Sequence, residues 1–334
     1  MVYNGTRSSK GGIFLITVSH LCKKYGDHYA VKDLSFSLEK GRIYGLLGPN
    51  GAGKSTTMNM ITGYLAPTSG EVVVDGHNIR TESLEARRCI GYLPEIPPLY
   101  VDMTVQEYLV TAAELKRIPR RERERMVPQV MEKVMITDMK DRLIRNLSKG
   151  YRQRVGIAQA MLGDPGIIIL DEPTVGLDPR QILEIRALVK ELGKDRTMII
   201  SSHILPEISA ICDDVLIMNS GRLVAAGSAA ELEKKVQGRD TLELLTEGAE
   251  EPIQALLGSI AGVRSFEINK DAQDPDLVRV TIRLEDGKDI RRDLFFSFAK
   301  SGMPILEMKH RQMSLEQVFL ELTGTGPENK EAES

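Results

Sequence analysis

An apolar pentapeptide, Ile43-Tyr-Gly-Leu-Leu47, runs directly into Gly48-Pro-Asn-Gly-Ala-Gly-Lys-Ser55, and the stretch from Lys54 to Ile61 can continue as a helix. A buried strand, a glycine-rich turn ending in Gly-Lys-Ser and a helix, in that order, constrain the fold more than any other part of the chain. The glycines let successive backbone N–H groups turn inward, and the positive end of the following helix favours an anion at the same place. The stretch Gly48, Pro49, Asn50, Gly51, Ala52, Gly53, Lys54, Ser55 and Thr56 is therefore read as a cradle for the phosphates of a nucleotide. Lys54 would reach the β- and γ-phosphates, and the Ser55 hydroxyl would hold Mg²⁺.

At 334 residues the chain exceeds what one hydrophobic core usually organises, so two domains are expected. A formal net charge of −3 offers no electrostatic case for nucleic acid as the main partner. Cys22, Cys89 and Cys212 show no metal-ligand spacing, which argues against structural zinc and a disulfide framework and fits reduced thiols in the cytosol. No apolar stretch approaches bilayer length, and Ile13-Phe-Leu-Ile-Thr-Val18 is too short for a signal sequence. The chain is expected to be soluble by itself.

Residues 1–12 are small and polar and read as a disordered head. From Ile16 to Leu38 the pattern is strand-like, with Leu34, Phe36 and Leu38 alternating with Ser35 and Ser37. Val72-Val-Val74 followed by Asp75-Gly76 reads as a strand ending in a tight turn. Pro94, Pro97 and Pro98 mark the entry to a mostly helical, charged region from Thr104 to about Met161. Strand signals return at Ile167–Leu170, Thr197–Ser201 and Val215–Met218, each beside a helical stretch, so a mainly parallel sheet with a helical lobe is expected. After Lys235 the character changes. Strands at Thr241–Leu245, Val263–Ile268, Val278–Leu284 and Pro304–Lys309, with helices at Pro252–Ile260 and Asp289–Ser301, give the split β-α-β-β-α-β order of a small accessory domain over 240–324. A last helix is expected at Leu315–Leu322, and 325–334 reads as a disordered tail.

Ile167-Ile-Ile-Leu170 leads into Asp171-Glu172. Parallel strands deliver their C-terminal ends to the ligand crevice, so both carboxylates should stand beside the phosphate loop. Asp171 would bind Mg²⁺, directly or through water, and Glu172 would polarise an attacking water as general base. His203, in Ser201-Ser-His203 at the end of the next strand, can hydrogen-bond a γ-phosphate and Glu172.

Upstream of these carboxylates stands Leu147-Ser-Lys-Gly-Tyr-Arg-Gln-Arg154. With the phosphate loop, the carboxylate pair and the turn Gly176-Leu-Asp178, it resembles the nucleotide-binding subunit of ABC transporters from about Phe14 to Leu232. Leu147-Ser-Lys-Gly-Tyr151 is similar to that family's LSGGQ signature, Gly176–Asp178 to its D-loop, and Tyr25 to the aromatic that stacks on adenine. Tyr25 can equally be a core or turn aromatic. Tyr92-Leu-Pro-Glu95 and the C-terminal domain look like the type-2 exporter branch, and Leu93 to Tyr100 is similar to gliding-motility-type ATPases. The resemblance implies an α/β P-loop NTPase (ABC ATPase) core over 13–235, with an antiparallel β subdomain and a helical lobe, followed by a ferredoxin-like α+β domain.

It also implies ATP and Mg²⁺ as cofactors, and a head-to-tail dimer in which Ser148 and Gly150, at a helix start, complete the site of a second ATPase subunit, with Asp178 at the same interface. An integral-membrane permease is the other implied partner, its short helix docking near Glu95, Pro97, Leu99, Tyr100 and Met103; those apolar residues can instead be ordinary core. Glu95 replaces the usual Gln and cannot donate a hydrogen bond unless protonated. Lys149 replaces a Gly, and either adds a cation near the γ-phosphate or is a solvated side chain; Tyr151 replaces the usual Gln. The expected function is the ATP-hydrolysing subunit of a membrane exporter, peripheral to the inner face of the membrane. The rival is a soluble ABC ATPase not involved in transport, which tandem ATPase domains, a zinc insertion or a basic surface would favour.

Overall fold

The computed structural model describes residues 14–236 and 241–311, apart from 272–273, 275–276 and 286–287, together with residue 319. The expected head and tail lie outside the described residues, as does the expected Leu315–Leu322 helix except for residue 319, which is helical. The chain divides into two compact units, residues 1–228 and 229–334.

In the first unit, β1 (Phe14–Tyr25) and β2 (His28–Glu39) form a hairpin, and β3 (Ile43–Leu47) leads through the glycine-rich loop into α1 (Lys54–Ile61). Next come β4 (Ser69–Val74), β5 (His77–Asn78), α2 (Ser83–Arg88) and β6 (Ile90–Leu93). The helical stretch then supplies α3 (Val105–Leu115), α4 (Arg120–Lys133) and α5 (Lys149–Met161). The chain returns through β7 (Ile167–Leu170), α6 (Pro179–Gly193), β8 (Thr197–Ser202), α7 (Leu205–Ser209), β9 (Asp214–Asn219) and β10 (Arg222–Gly227).

Two sheets carry this unit. The six-stranded one has the order β10-β9-β3-β8-β7-β6, parallel except for the β10–β9 pair. β3 and β7 are buried along their whole length, as strands covered on both faces must be, and this explains their unbroken apolar sequences. The second sheet is antiparallel, β2-β1-β4-β5. Asp75 (φ +49) and Gly76 (φ +83) make the two-residue turn from β4 to β5, the left-handed pair that a tight hairpin requires. One core joins these elements, including Ile16, Leu34, Leu46, Met58, Val72 and Met218. In the helical lobe, Thr104 caps α3 in a reciprocal capping box with Glu107. β6 and β10 were not among the strands expected from sequence.

The second unit contains α8 (Ala229–Val236), β11 (Thr241–Glu247), α9 (Glu250–Ser259), β12 (Val263–Lys270), β13 (Leu277–Leu284), α10 (Arg291–Lys300) and β14 (Ile305–Arg311). Its sheet is antiparallel with the order β12-β13-β11-β14. Leu242, Leu244, Val280, Ile282, Leu294 and Phe298 belong to its separate core.

Candidate active site

Leu47 ends the buried β3, and the loop that follows must turn sharply to start α1. Gly53 has φ +98, and a Cβ there would lie 2.5 Å from the Ala30 carbonyl oxygen, so neither the backbone nor the space admits a side chain. No side chain caps α1, which leaves its first-turn N–H groups to an anion. Lys54 is 6% exposed; its Nζ donates to the carbonyls of Gly48 (2.8 Å) and Pro49 (3.2 Å) and stands 3.4 Å from Glu172 Oε1.

β7 delivers Asp171 and Glu172 to the same end of the sheet, both buried. Ser201, near the end of the neighbouring β8, ties them together. The Glu172 N–H donates to Ser201 Oγ at 2.7 Å, and Ser201 Oγ donates to Asp171 Oδ1 at 2.5 Å. Glu172 itself has φ +47, a conformation that non-glycine residues keep only where their surroundings hold it. His203 Nδ1 is 3.0 Å from Glu172 Oε2. Since a carboxylate only accepts, Nδ1 carries the proton and Nε2 faces away as the second ring nitrogen. Glu172 is thus held between an ammonium and an imidazole. The Tyr92 hydroxyl donates to Asn59 Oδ1 at 3.0 Å; burial pushes its pKa up, and the charge of Asp171 adds to the shift.

A cleft of about 510 Å³ collects Asn50 to Thr56, Glu95, Glu172 and His203, joined by His28, Ala30 and Val175. Gly48, Pro49 and Asp171 stand behind it, acting through Lys54 and Ser201. Tyr25 is 51% exposed and does not line the cleft, although it pairs across the hairpin with His28, which does. The signature forms a second group. Ser148 is the N-cap of α5, its hydroxyl accepting from the Tyr151 N–H at 3.4 Å. Asp178 caps α6 by accepting from the Gln181 N–H at 2.9 Å. The Gln181 side chain packs on Gly150, where a Cβ would meet it at 2.8 Å. The Lys149 ammonium lies over Gly176, 2.2 Å from where a Cβ would stand. None of these residues lines the cleft.

Residues 31–175 match the ABC transporter family model. The bacitracin transport ATP-binding protein BcrA of Bacillus licheniformis is 35% identical over 315 residues, spanning 93% of this chain and 98% of that protein. The linearmycin resistance ATP-binding protein LnrL of Bacillus subtilis (strain 168) is 31% identical over 311 residues, 93% of this chain and 98% of that protein. The chain belongs to the ABC transporter family. It is an ATP-binding, ATP-hydrolysing subunit of the exporter type. By contrast, it spans only 24% of ABC transporter A family member 1 of Dictyostelium discoideum, which is 40% identical over 207 residues, 62% of this chain. Among solved structures, an ATP-binding subunit of an ABC transporter superposes with a TM-score of 0.60 at 32% identity, covering 66% of this chain and 92% of that one. A dimeric bacterial ABC transporter cassette superposes with a TM-score of 0.58 at 26% identity, covering 64% and 98%.

In this ABC subunit the residues that could hold Mg²⁺ offer hard oxygens: Ser55 at the start of α1 and Glu95, both on the cleft wall, and Asp171, which stands behind that wall at the end of β7. They fit an ion that takes one or two carboxylates and completes its shell with phosphate oxygens and water. Sequence reasoning missed His28, Ala30 and Val175 in the cleft wall and the Ser201 bridge. The position of His28, three residues after Tyr25 and before the loop, was the available signal for the hairpin tip; a serine at a strand end carries none.

Proposed function

We propose that this chain energises a separately encoded membrane permease by closing as a pair around two ATP molecules and hydrolysing them. The observation that carries the proposal is the buried Glu172, set between Lys54 (3.4 Å) and His203 (3.0 Å) on the wall of the loop's own cleft. The N–H groups from Gly51 to Thr56 and the Lys54 ammonium bind the β- and γ-phosphates. Ser55 and Asp171, with Glu95 nearby, would hold Mg²⁺, which would supply charge neutralisation to the phosphates. Glu172 accepts a proton from the attacking water as its oxygen bonds to the γ-phosphorus and the bond to ADP breaks. His203 keeps Glu172 oriented through Nδ1 and can turn Nε2 toward the γ-phosphate. Tyr25, at the hairpin that carries His28, stacks on adenine.

Ser148, Gly150 and Asp178 lie apart from the cleft and are assigned to the site of a second, identical subunit. Their grouping through Gln181 supports that assignment, because it presents the start of α5 and the D-loop together. Among the described residues no helix is long and apolar enough to cross a membrane. Attachment to the inner face of the membrane is assigned to the permease, whose helix would meet exposed Ile96 and Tyr100 beyond Glu95. The second unit is proposed to be a ferredoxin-like accessory domain over 240–324, supported by its β-α-β-β-α-β element order and sheet order.

The test is Glu172→Gln. It keeps the shape and removes the base, so turnover should fall about 10²- to 10⁴-fold. ATP binding should remain, and the ATP-bound pair should accumulate on size-exclusion chromatography. Near-normal hydrolysis would remove Glu172 from its assigned role.

A further inference from the structure

Glu207, on α7 just after β8, is a carboxylate only 7% exposed that takes no part in the chemistry above. Its Oε2 accepts two hydroxyl hydrogen bonds, from Thr174 Oγ1 at 2.5 Å and from Ser202 Oγ at 3.2 Å. The donors are themselves buried and come from different segments. Thr174 lies just beyond Glu172 on the stretch leaving β7, whereas Ser202 ends β8 and immediately precedes His203. Ser202 Oγ also accepts from the Ile204 N–H at 3.0 Å, so the same hydroxyl closes the turn that carries His203. One buried oxygen therefore links the segment bearing Glu172 to the turn bearing His203. Arg186 lines the small cavity beside this group.

Burying a carboxylate is unfavourable unless its hydrogen bonds are supplied, and an apolar side chain would pack a five-residue helix without that penalty. What the carboxylate adds is geometry. The Glu172–His203 contact needs two independent loops held in register, with Glu172 in a left-handed conformation. Ser201 fixes the Glu172 backbone from β8, and Glu207 fixes the following residues from α7. We infer that Glu207 is a positioning residue for hydrolysis, setting Glu172 and His203 against each other while touching neither nucleotide nor reacting atoms. This rests on the assignment of Glu172 and His203 to the hydrolytic step.

The experiment measures ATP hydrolysis by the full chain carrying Glu207→Ala, Thr174→Val or Ser202→Ala, beside Glu172→Gln. Glu207→Ala should lower kcat by about tenfold or more while KM for ATP stays within about twofold, since displaced catalytic groups cost rate and leave binding intact. Thr174→Val removes the hydroxyl at constant shape and should lower kcat by roughly threefold or more. Adding it to Glu207→Ala should cause little further loss, because both changes break one link. Glu207→Gln, which keeps an acceptor oxygen, should retain more activity than Glu207→Ala. A purely structural role would reduce the folded fraction and leave kcat per folded molecule unchanged. Parental kcat in Glu207→Ala, a matching loss of ATP affinity, or independent multiplication of the two defects would overturn the inference. If Glu207→Ala fails to fold, Thr174→Val and Ser202→Ala decide: parental kcat in both overturns it. Parental turnover in Glu172→Gln would instead show that the underlying assignment is wrong, while an inactive Glu172→Gln beside fully active Glu207, Thr174 and Ser202 variants would sink the positioning role alone.

Discussion

Lys54 carries two kinds of interaction, and they predict two effects of removing it. Its ammonium is buried and saturated by two carbonyls and the Glu172 carboxylate. In the proposed site those same donors are the fixed counter-charge for bound phosphates. Lys54→Ala should therefore weaken ATP binding by roughly 10- to 100-fold, the value of losing a charge-assisted hydrogen bond. It should also destabilise the nucleotide-free protein, because Glu172 is left buried without its cation. Isothermal titration gives the first effect and chemical denaturation the second; parental ATP affinity would refute the phosphate-loop assignment. The phosphate loop was legible because its glycines answer a geometric demand, with Gly53 the clearest case. Asp171 and Glu172 were legible by their place at the end of an all-apolar strand. Ser201 and Glu207 were not, since a serine or a glutamate acquires meaning only through partners distant in sequence. Asp171 stands 30 residues from Ser201, and Thr174 33 residues from Glu207.

At the scale of elements, α5 couples the signature to the sheet, and its packing depends on small residues. On β6, a Cβ at Gly91 would come within 2.1 Å of the Ala160 carbonyl oxygen of α5. On α5, a Cβ at Gly156 would come within 2.5 Å of the Leu93 side chain of β6. The far end of α5 is fastened by Lys116, whose Nζ donates to the carbonyls of Gln159, Ala160 and Leu162, the cation favouring the negative helix end. Arg154 adds bonds to the Val134 carbonyl and to Glu184 of α6. Gly91→Ala should accordingly cost about 1–3 kcal/mol, because backbone must move to admit the methyl group. Gly166→Ala, with nothing within 4 Å of its added Cβ, is the matched control and should be near neutral. Equal denaturation midpoints for the two variants would contradict the close approach of α5 to β6. β6 escaped sequence reading for a related reason. It has four residues, one of them a glycine kept for packing, and a proline follows, so the pattern holds too few apolar positions to announce a strand. β10, rich in alanine and half-exposed, is equally faint.

For the whole molecule, the separation between cleft and signature is the feature with most consequence. All nucleotide motifs lie in the first unit, residues 1–228, and the second has a core of its own. Within the first unit, Lys54 begins α1 while Ser148 caps α5 in the helical lobe, and no signature residue reaches the cleft. A helix start that offers free N–H groups away from the chain's own nucleotide site can act on a phosphate held by a second subunit. Ser148→Arg would set a long cation in that position, displacing the α5 N-terminus from the partner's phosphate. ATP binding by the isolated chain should then persist, whereas ATP-dependent pairing and hydrolysis should be lost. Activity of the parent protein should fall steeply on dilution, as expected when each site needs two chains. Mixing Ser148→Arg with Glu172→Gln chains forms mixed pairs in which one composite site carries both lesions and the other carries neither, because each site joins the cleft of one chain to the signature of the other. Recovery of hydrolysis in that mixture, absent from either variant alone, is the expected result. A Ser148→Arg protein that hydrolyses ATP normally, or parental activity independent of concentration in monomeric samples, would rule the shared site out.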